Sequence, residues 1–593
     1  VKIFAIIVIN ILLSYSANML GFEEVARVFS ELEKRAGRLE MTDILAELFK
    51  KTDAGDVERL VYLIQGILAP PYEGIDLGLG ERFAIAAIAA SSGYSQARVE
   101  SDYQKSGDLG ETAEDLLSKK KQTALLVQEM DVDFVFNSFL KIAKASGAGS
   151  QEMKIKLLTE LLNNASPVEA RFIVRFVLGR LRLGVGDPTI LDALSVSRTG
   201  DKTLREPLER AFDVCSDLGY VARVFFTDPD AIARFKVQPF KPLMPALAER
   251  LSTPEEIIKK IGKCGIEKKY DGFRLQCHKK GERVEIYSRK LEKMTSMFPD
   301  VVEEIKKLSN KELIFEGEAL AYDEKKKRYF SFQETMHRRR KHGIAKAEKE
   351  LPLNLFCFDI LYADGEDMTE KPYTERRRAL ERIFPSGILL QSETEIVETH
   401  QELERIFNDS LARGLEGIMA KDLSAPYTAG KRKFAWIKLK KSYGKSVDTI
   451  DVVIVGYFLG KGSRAEFKFG GLLVAVYNPD RNMLETVAKI GSGYSEQEMA
   501  DFQKMLFDIK MKEAPKDLDY RVEPDFWVLP KYVVEVAFDE ITRSPTHTCG
   551  MEEGKGLALR FPRLVKIRPD KTVKEATTTD EVVEMFRIQR GKG

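Results

Sequence analysis

The sequence predicts a multidomain protein with an all-α domain first, a mixed α/β domain second and a small β-barrel last. Three observations carry that expectation. At 593 residues the chain is too long for a single hydrophobic core. Apolar residues recur at helical spacing as far as residue 235, and the period shortens towards two beyond a proline-rich stretch. After Gly444, short apolar runs alternate with glycine-rich corners. The expected divisions are 1–18, 19–238, 239–443 and 444–593.

Residues 1–18 stand apart. Lys2 precedes an almost wholly apolar run and then Ser14-Tyr15-Ser16-Ala17, which resembles a short signal peptide and is too short to span a bilayer as a helix. Met19 directly precedes a well-formed amphipathic segment, so the favoured reading is an upstream extension without a structural role. A targeting or anchoring segment and a helix packed on the body are the alternatives. Phe22, Val25, Val28, Phe29 and Leu32 then open the helical domain at helical spacing. Ser166-Pro167-Val168-Glu169 is a capping box with proline at the first helical position, and Gly184 is expected to close the helix it opens. Arg171, Arg175 and Arg182 should share one face of that helix. Such a face is either solvated or set against phosphate, and the helix alone leaves both open.

Pro239, Pro242 and Pro245 mark a stiff extended linker and a domain boundary. Beyond it, Val284-Glu285-Ile286-Tyr287, Leu313-Ile314-Phe315 and Leu353-Asn354-Leu355-Phe356 read as strands, with helices over 299–308 and 374–383 between them. Further strands are expected over 451–458, 470–477, 485–490, 532–538 and 557–567. Five strands in so short a span, with glycine corners, suggest a closed barrel such as an OB-fold.

Hydrophobic content of 44% and charged content of 31% describe an ordinary globular chain. The net charge of +1 does not exclude a nucleic-acid partner, because local segregation matters more than the sum. Residues 431–447 hold seven basic residues and no acidic one, and Arg338, Arg339, Arg340 and Lys341 form a second block. The default reading of each block is a solvated face. The five cysteines are scattered without a C-x-x-C pair and the five histidines do not cluster near them. No zinc finger or disulfide framework is legible, which fits a reducing compartment.

The most informative stretch is Glu267-Lys268-Lys269-Tyr270-Asp271-Gly272-Phe273-Arg274. Residues 265–275 read as a strand breaking into a tight turn, and alternation by two puts Glu267, Lys269 and Asp271 on one side. Gly272 lets the backbone bend and approach a ligand. A lysine two residues before Asp-Gly is the arrangement that lets an amine attack a nucleotide α-phosphate. Alone, K-x-D-G is short enough to be an ordinary surface turn.

Five further blocks follow it in order: Tyr287-Ser288-Arg289, Phe315-Glu316-Gly317-Glu318-Ala319, Leu355-Phe356-Cys357-Phe358-Asp359, Glu416-Gly417-Ile418-Met419-Ala420-Lys421, and Trp436-Ile437-Lys438-Leu439-Lys440. A last one, Arg560-Phe561-Pro562-Arg563 with Arg568-Pro569-Asp570-Lys571, lies in the barrel. With these, everything after Met19 resembles the ATP-dependent DNA ligases of the archaeal and eukaryotic replicative type, within the covalent nucleotidyltransferases. The resemblance implies a helical DNA-binding domain, an adenylation domain and an OB-fold domain. It makes Lys269 the nucleophile that becomes lysyl-AMP, a role that needs a neutral amine although free lysine has a pKa of ~10.4. It assigns ATP contacts to Glu267 (the adenine edge), Arg274, Arg289, Glu318 (near ribose and metal), Phe358 (stacked on the base), Arg432, Lys438 and Lys440. Family members often carry Asn after the Ser-Arg pair, where this chain has Lys290. Glu318 and Glu416 would hold Mg²⁺, a hard cation that binds through oxygen. Arg560, Arg568, Asp570 and Lys571 would orient pyrophosphate.

Lys489-Ile490-Gly491-Ser492-Gly493 matches a barrel segment lying by DNA. The segment Arg180-Leu181-Arg182-Leu183-Gly184-Val185-Gly186-Asp187 resembles the family's DNA-binding domain and tips Arg171, Arg175 and Arg182 towards phosphate. The implied partner is nicked double-stranded DNA, bound by a monomer without a membrane, in the cytoplasm or at the nucleoid of a prokaryote. Gln122-Thr123-Ala124-Leu125-Leu126 faintly resembles a sliding-clamp peptide but lacks the aromatic pair, and an ordinary helix is the favoured reading. RNA ligases and capping guanylyltransferases share the lysine chemistry but lack a long helical domain ahead of it. A nick-binding scaffold with a dead site is the rival from another class, and no catalytic position is lost here. Of the adjacent lysines, Lys268 should point away and be dispensable.

Overall fold

The computed structural model describes residues 20–589 except 36, 107, 121–128, 324–327, 331, 341, 414, 441–447 and 460–468; the side chains of 104, 332, 333, 432, 448, 496, 497 and 500 are also left out of the description. The readings of residues 1–18, of Gln122–Leu126, of Lys341 and of the Arg432 side chain therefore lie outside the described residues. Among the described residues no helix is long and apolar enough to cross a membrane.

Helices run from Phe22–Leu32 to Leu218–Thr227 around one apolar core that includes Phe29, Phe49, Phe139, Phe172 and Phe225. Ser166 caps the helix Pro167–Val177 through a capping box with Glu169. That helix stops earlier than its sequence suggests. Leu178 is its C-cap, Gly179 follows with φ 65°, and Gly184 lies beyond in an extended segment. Arg182, at φ 60°, belongs to that segment and not to the helix.

The proline stretch after the helices is held down along its length. Phe240 N–H donates to His278 Nδ1 at 2.9 Å, and Leu243 N–H donates to Gln276 Oε1 at 2.8 Å. Met244 N–H donates to the carbonyl of Asp213 at 2.8 Å. The backbone donors of a segment without secondary-structure partners are thus satisfied by two buried side chains and one helical carbonyl.

Strands follow as β1 (Leu247–Arg250), β2 (Cys264–Lys269), β3 (Phe273–Lys280), β4 (Arg283–Ser288), β5 (Glu312–Asp323), β6 (Arg328–Tyr329), β7 (Leu353–Ala363) and β8 (Glu366–Asp367). Next come β9 (Leu389–Gln391), β10 (Thr394–Val397), β11 (Gly417–Asp422) and β12 (Arg432–Lys440). They form two sheets. One has the order β1-β12-β11-β2-β10; the other runs β4-β3-β5-β7-β8, with β6 on β5 and β9 on β7. Each sheet has its own apolar cluster, Phe298 and Phe315 in one and Ile266 and Ile437 in the other. Tyr270-Asp271-Gly272 is the link at which the chain leaves the first sheet and enters the second.

The last region is rich in sheet: β13 (Asp448–Phe458), β14 (Gly471–Asn478), β15 (Met483–Ile490), β16 (Lys510–Met511), β17 (Leu518–Asp519), β18 (Phe526–Val528) and β19 (Val533–Phe538). It ends with β20 (Glu540–Ser544), β21 (Cys549–Glu552), β22 (Lys555–Arg560) and β23 (Arg563–Ile567). The expected single strand over 557–567 is two strands in different sheets: β22 pairs β20 and β21, whereas β23 pairs β19. Phe561 at φ 51° and Pro562, which has no N–H to give a ladder, break it. Helices Glu496–Phe507 and Thr579–Gln589, absent from the strand reading, pack Phe502, Leu506, Val582 and Phe586 into the core of this region.

Candidate active site

Lys269 is the last residue of β2, and its neighbour across the sheet is Gly417 of β11. That register sets Glu416 beside it. Lys269 Nζ donates to Glu416 Oε2 at 2.5 Å, and Lys440 Nζ pairs with the other carboxylate oxygen. Burial alone would raise the Glu416 carboxyl; Lys269, Lys440 and Lys566 outweigh it and hold the group well below the usual carboxylate range. Lys268 faces the other way and pairs with Glu393.

The turn that follows is tight for a steric reason. A Cβ on Gly272 would lie 2.3 Å from the carbonyl oxygen of Ala319 on β5, so only glycine fits there. This close approach brings β3 and β5 under Lys269 and sets Arg274 opposite Glu318 in the ladder. Glu318 is half-buried, and burial pushes its carboxyl up to about 7 against the opposing pull of Lys269 and Arg274. Arg274 makes a two-pronged contact with Glu316 at 2.6 and 3.0 Å and donates to the Ala246 carbonyl at 2.8 Å. Its guanidinium lies 5.3 Å from the Phe358 ring centre and 5.4 Å from that of Trp436.

One pocket collects most of the residues picked out by sequence. Glu267, Lys269, Arg274, Arg289, Glu318, Phe358, Glu416, Lys438 and Lys440 line it from the two sheets. Arg568, Asp570 and Lys571 line it from the C-terminal region. Phe358 is half-buried against the edge of Trp436, with ring centres 5.9 Å apart, and is not a core side chain. The donor set at Glu318 and Glu416, two carboxylates in a pocket that Lys269, Lys438 and Lys440 also line, suits a hard cation shared with substrate phosphates. Arg432 lies on β12 opposite Leu247, and its side chain is outside the described residues.

The C-terminal region reaches the pocket through ion pairs. Lys566 donates to both oxygens of Asp271 at 2.9 and 3.1 Å, and Arg289 Nε lies 3.0 Å from Glu575. Arg568 bridges Asp570 at 2.7 Å and Asp451 at 3.1 Å, and Lys571 pairs with Asp451. Burial by itself would raise Asp451; Lys571 and Arg568 reverse that and hold it far below its ordinary value. Arg560 is elsewhere. It ends β22, exposed, with its guanidinium 5.5 Å from the ring of Phe561, outside the lining of the pocket.

The arginines expected to meet phosphate in the helical region face inward. Arg175 is 2% exposed, with Asp108 at 2.9 Å, Glu33 at 2.7 Å and Glu111 at 3.2 Å. Arg171 pairs with Glu114 at 3.1 Å, and Arg182 with Asp108 at 2.7 Å. Asp108 also caps the helix Leu109–Ser118 by accepting from Gly110 N–H and Glu111 N–H. The three guanidiniums tie this helix, Phe22–Leu32 and Pro167–Val177 together, so their positive charge is spent on carboxylates inside the fold. The carboxylates Asp108, Glu111 and Glu114 sit more than fifty residues from these arginines in sequence, which is why spacing along one helix could not reveal them.

Sequence reading passed over several lining residues: Met419, Lys421 and Trp436 from β11 and β12, and Asp451 from β13. Alternation was the available signal, since Met419 and Lys421 are two apart on a strand whose other face is the apolar Ile418 and Ala420.

Comparison with known proteins gives matches along the chain. The family described as "DNA ligase N terminus" matches residues 21–195, "ATP dependent DNA ligase domain" matches 245–440, and "ATP dependent DNA ligase C terminal region" matches 465–571. The chain is 46% identical over 575 residues to a probable DNA ligase of Dictyoglomus turgidum, covering 96% of this chain and 98% of that one. It is 42% identical to DNA ligase 2 of Thermofilum pendens and to a DNA ligase of Saccharolobus shibatae, each match covering 97% of this chain and 98% of the relative.

Proposed function

Since the chain belongs to the ATP-dependent DNA ligase family, we propose that Lys269 takes AMP from ATP and that the enzyme passes it to a 5′-phosphate at a nick. The enzyme seals nicks in duplex DNA by joining a 3′-hydroxyl to a 5′-phosphate. The observation that carries the residue assignment is the convergence at Lys269. Its amine stands against Glu416, beside Glu318, in one pocket with Arg274, Phe358, Lys438 and Lys440.

The roles proposed are those that the resemblance gives to these positions. Phe358 offers a ring face to the base, and Glu267 lies at the back of the pocket for its edge. Lys438 and Lys440 would face the α-phosphate, where fixed cations stabilise charge that develops on the phosphoryl oxygens, and Arg274, held by Glu316, lies nearer Phe358 and Trp436. Glu318 and Glu416 would hold Mg²⁺, which when bound supplies charge neutralisation at the phosphates. Arg568 and Lys571, held by Asp570 and Asp451, meet the pocket from the C-terminal region and suit the departing pyrophosphate. Each displacement at phosphorus then needs little from the protein beyond alignment of the reacting atoms. The closed OB barrel for the C-terminal region, the divisions at 238 and 443, and a monomer on nicked DNA belong to this same proposal.

Incubation with α-labelled ATP and Mg²⁺ should leave label on the denatured protein, and a chase with nicked duplex should move it through adenylated DNA to sealed product. Equal label on Lys269→Ala would overturn the assignment. Label that never leaves for nicked DNA would favour an RNA-joining or capping activity.

A further inference from the structure

At the base end of the pocket a chain of buried charges runs from the lining into the fold. Lys421 is 1% exposed, and its Nζ stands 2.8 Å from Glu267 Oε1 and 3.9 Å from Asp359 Oδ2. It also donates to the Phe358 carbonyl at 2.9 Å. Tyr373 donates its hydroxyl to the same Glu267 Oε1 at 2.5 Å. Arg376, with no exposed side-chain surface, grips Asp359 at 2.7 and 3.1 Å. Burial would raise the Asp359 carboxyl, but Arg376 and Lys421 together keep it low. A buried ion is costly unless paired, so this row of charges has a reason to exist in a site that could have been apolar.

The two oxygens of Glu267 are treated unequally. Oε1 accepts from Tyr373 and has Lys421 as its ion-pair partner, while Oε2 accepts one long hydrogen bond of 3.5 Å from Ser392 Oγ. Glu267, Ser392, Lys421 and Phe358 all line the nucleotide pocket. Adenine presents an exocyclic amino donor at the position where guanine presents a carbonyl acceptor.

We propose that Lys421 is the specificity-determining positioning residue of this site: by pinning Oε1 of Glu267 it turns Oε2 to the pocket, so that adenine is accepted and guanine refused. A donor base completes the hydrogen bonds of Oε2. A guanine sets its carbonyl oxygen against an anion, and a buried polar group left facing its own kind is what gives polar sites their large discrimination. Without the lysine, Tyr373 alone holds Oε1, and the carboxylate can turn its acceptor away from the base edge. The inference rests on the reading of Lys269 as the nucleotide acceptor, and the test separates the two.

Covalent labelling of the full-length enzyme with α-labelled ATP and with α-labelled GTP, each over a range of concentrations with Mg²⁺, gives KM and kcat for both. Lys421→Met should raise the KM for ATP at least about tenfold with kcat changed far less, and shrink the ATP-over-GTP preference by about 100-fold. Lys421→Arg should restore most of the preference. Tyr373→Phe, which removes the hydroxyl donor to Oε1, should move both quantities the same way by a smaller factor, and it decides the matter if Lys421→Met does not fold. Wild-type preference in a folded Lys421→Met enzyme, or equal loss of ATP and GTP labelling through kcat, would overturn the inference. Absence of label on the wild type would instead overturn the assignment of Lys269 itself.

Discussion

Lys269 and Glu416 are separated by 147 positions, and their 2.5 Å contact is the centre from which the other assignments are measured. Glu416→Gln removes the anion shared by Lys269 and Lys440 with little change in shape. Labelling by ATP should fall about 100-fold or more in single-turnover adenylylation, and thermal unfolding should come at a lower temperature, because Lys269 and Lys440 lose the anion they share. Lys268→Ala should label at close to the wild-type rate, because that side chain pairs with Glu393 on the other side of the strand. Spacing to Asp271-Gly272 singled out Lys269 in the sequence, and the structure sets the two lysines against different partners, Glu416 and Glu393. Spacing could not place Arg560, or the helical-domain arginines, whose partners come from other elements. A charged residue shows its type in sequence, but whether its charge is free depends on partners that only folding brings near.

At the scale of elements, the helix Pro167–Val177 shows both outcomes. Its start was legible because a capping box is local chemistry between Ser166 and Glu169. Its end and its charged face were not. Arg175→Met should cost about 3 kcal/mol of stability, because it takes from buried Asp108 one of its two guanidinium partners and from Glu33 its nearer one. The salt dependence of nicked-DNA binding should stay as it was, which binding titrations at several ionic strengths would check. The helix Arg205–Cys215 carries a second testable group. Burial, helped by Glu209, pushes the Asp213 carboxyl up to about 8. The unfolded chain releases that proton near pH 4, so the stability this group contributes is complete below pH 4 and drains away as pH rises towards 8. Thermal unfolding of Asp213→Asn should therefore decline less than wild type between pH 5 and pH 8. An equal decline would show that Asp213 does not hold its proton there.

Across the whole molecule the regions meet along charged seams. Lys516 reaches Glu111 at 2.8 Å and Arg38 reaches Asp480 at 2.9 Å, joining the C-terminal region to the helices. Lys431 and Glu209, 2.8 Å apart, join the helices to the central sheets. The Lys566–Asp271 pair joins the C-terminal region to the turn after Lys269. Lys566→Ala loosens that last seam and takes one cation from the surroundings of Glu416. It should slow lysine adenylylation about fivefold and leave sealing of a pre-adenylated nick almost unaltered, a split that single-turnover assays of each step would measure. The three regions were legible from the change of apolar period and the prolines between 239 and 245. The seams were not, since each pairs charges that ordinary surface composition would leave in water. Nor was the break between β22 and β23, where Phe561 and Pro562 end one ladder inside a run that looks continuous.

The three residues between β2 and β3 act as a ruler. Each strand is locked in register by its own sheet, β2 against β10 and β11, and β3 against β4 and β5. Neither sheet can slip by one residue without turning every side chain to its opposite face. A single glycine inserted after Tyr270 would therefore leave both ladders and the melting temperature almost intact while lengthening the span between Lys269 and the floor at Glu318. Length, more than the identity of Tyr270, is what this stretch transmits from genome to active site. A folded insertion variant that still takes label from ATP at the normal rate would show that the measure is not kept there.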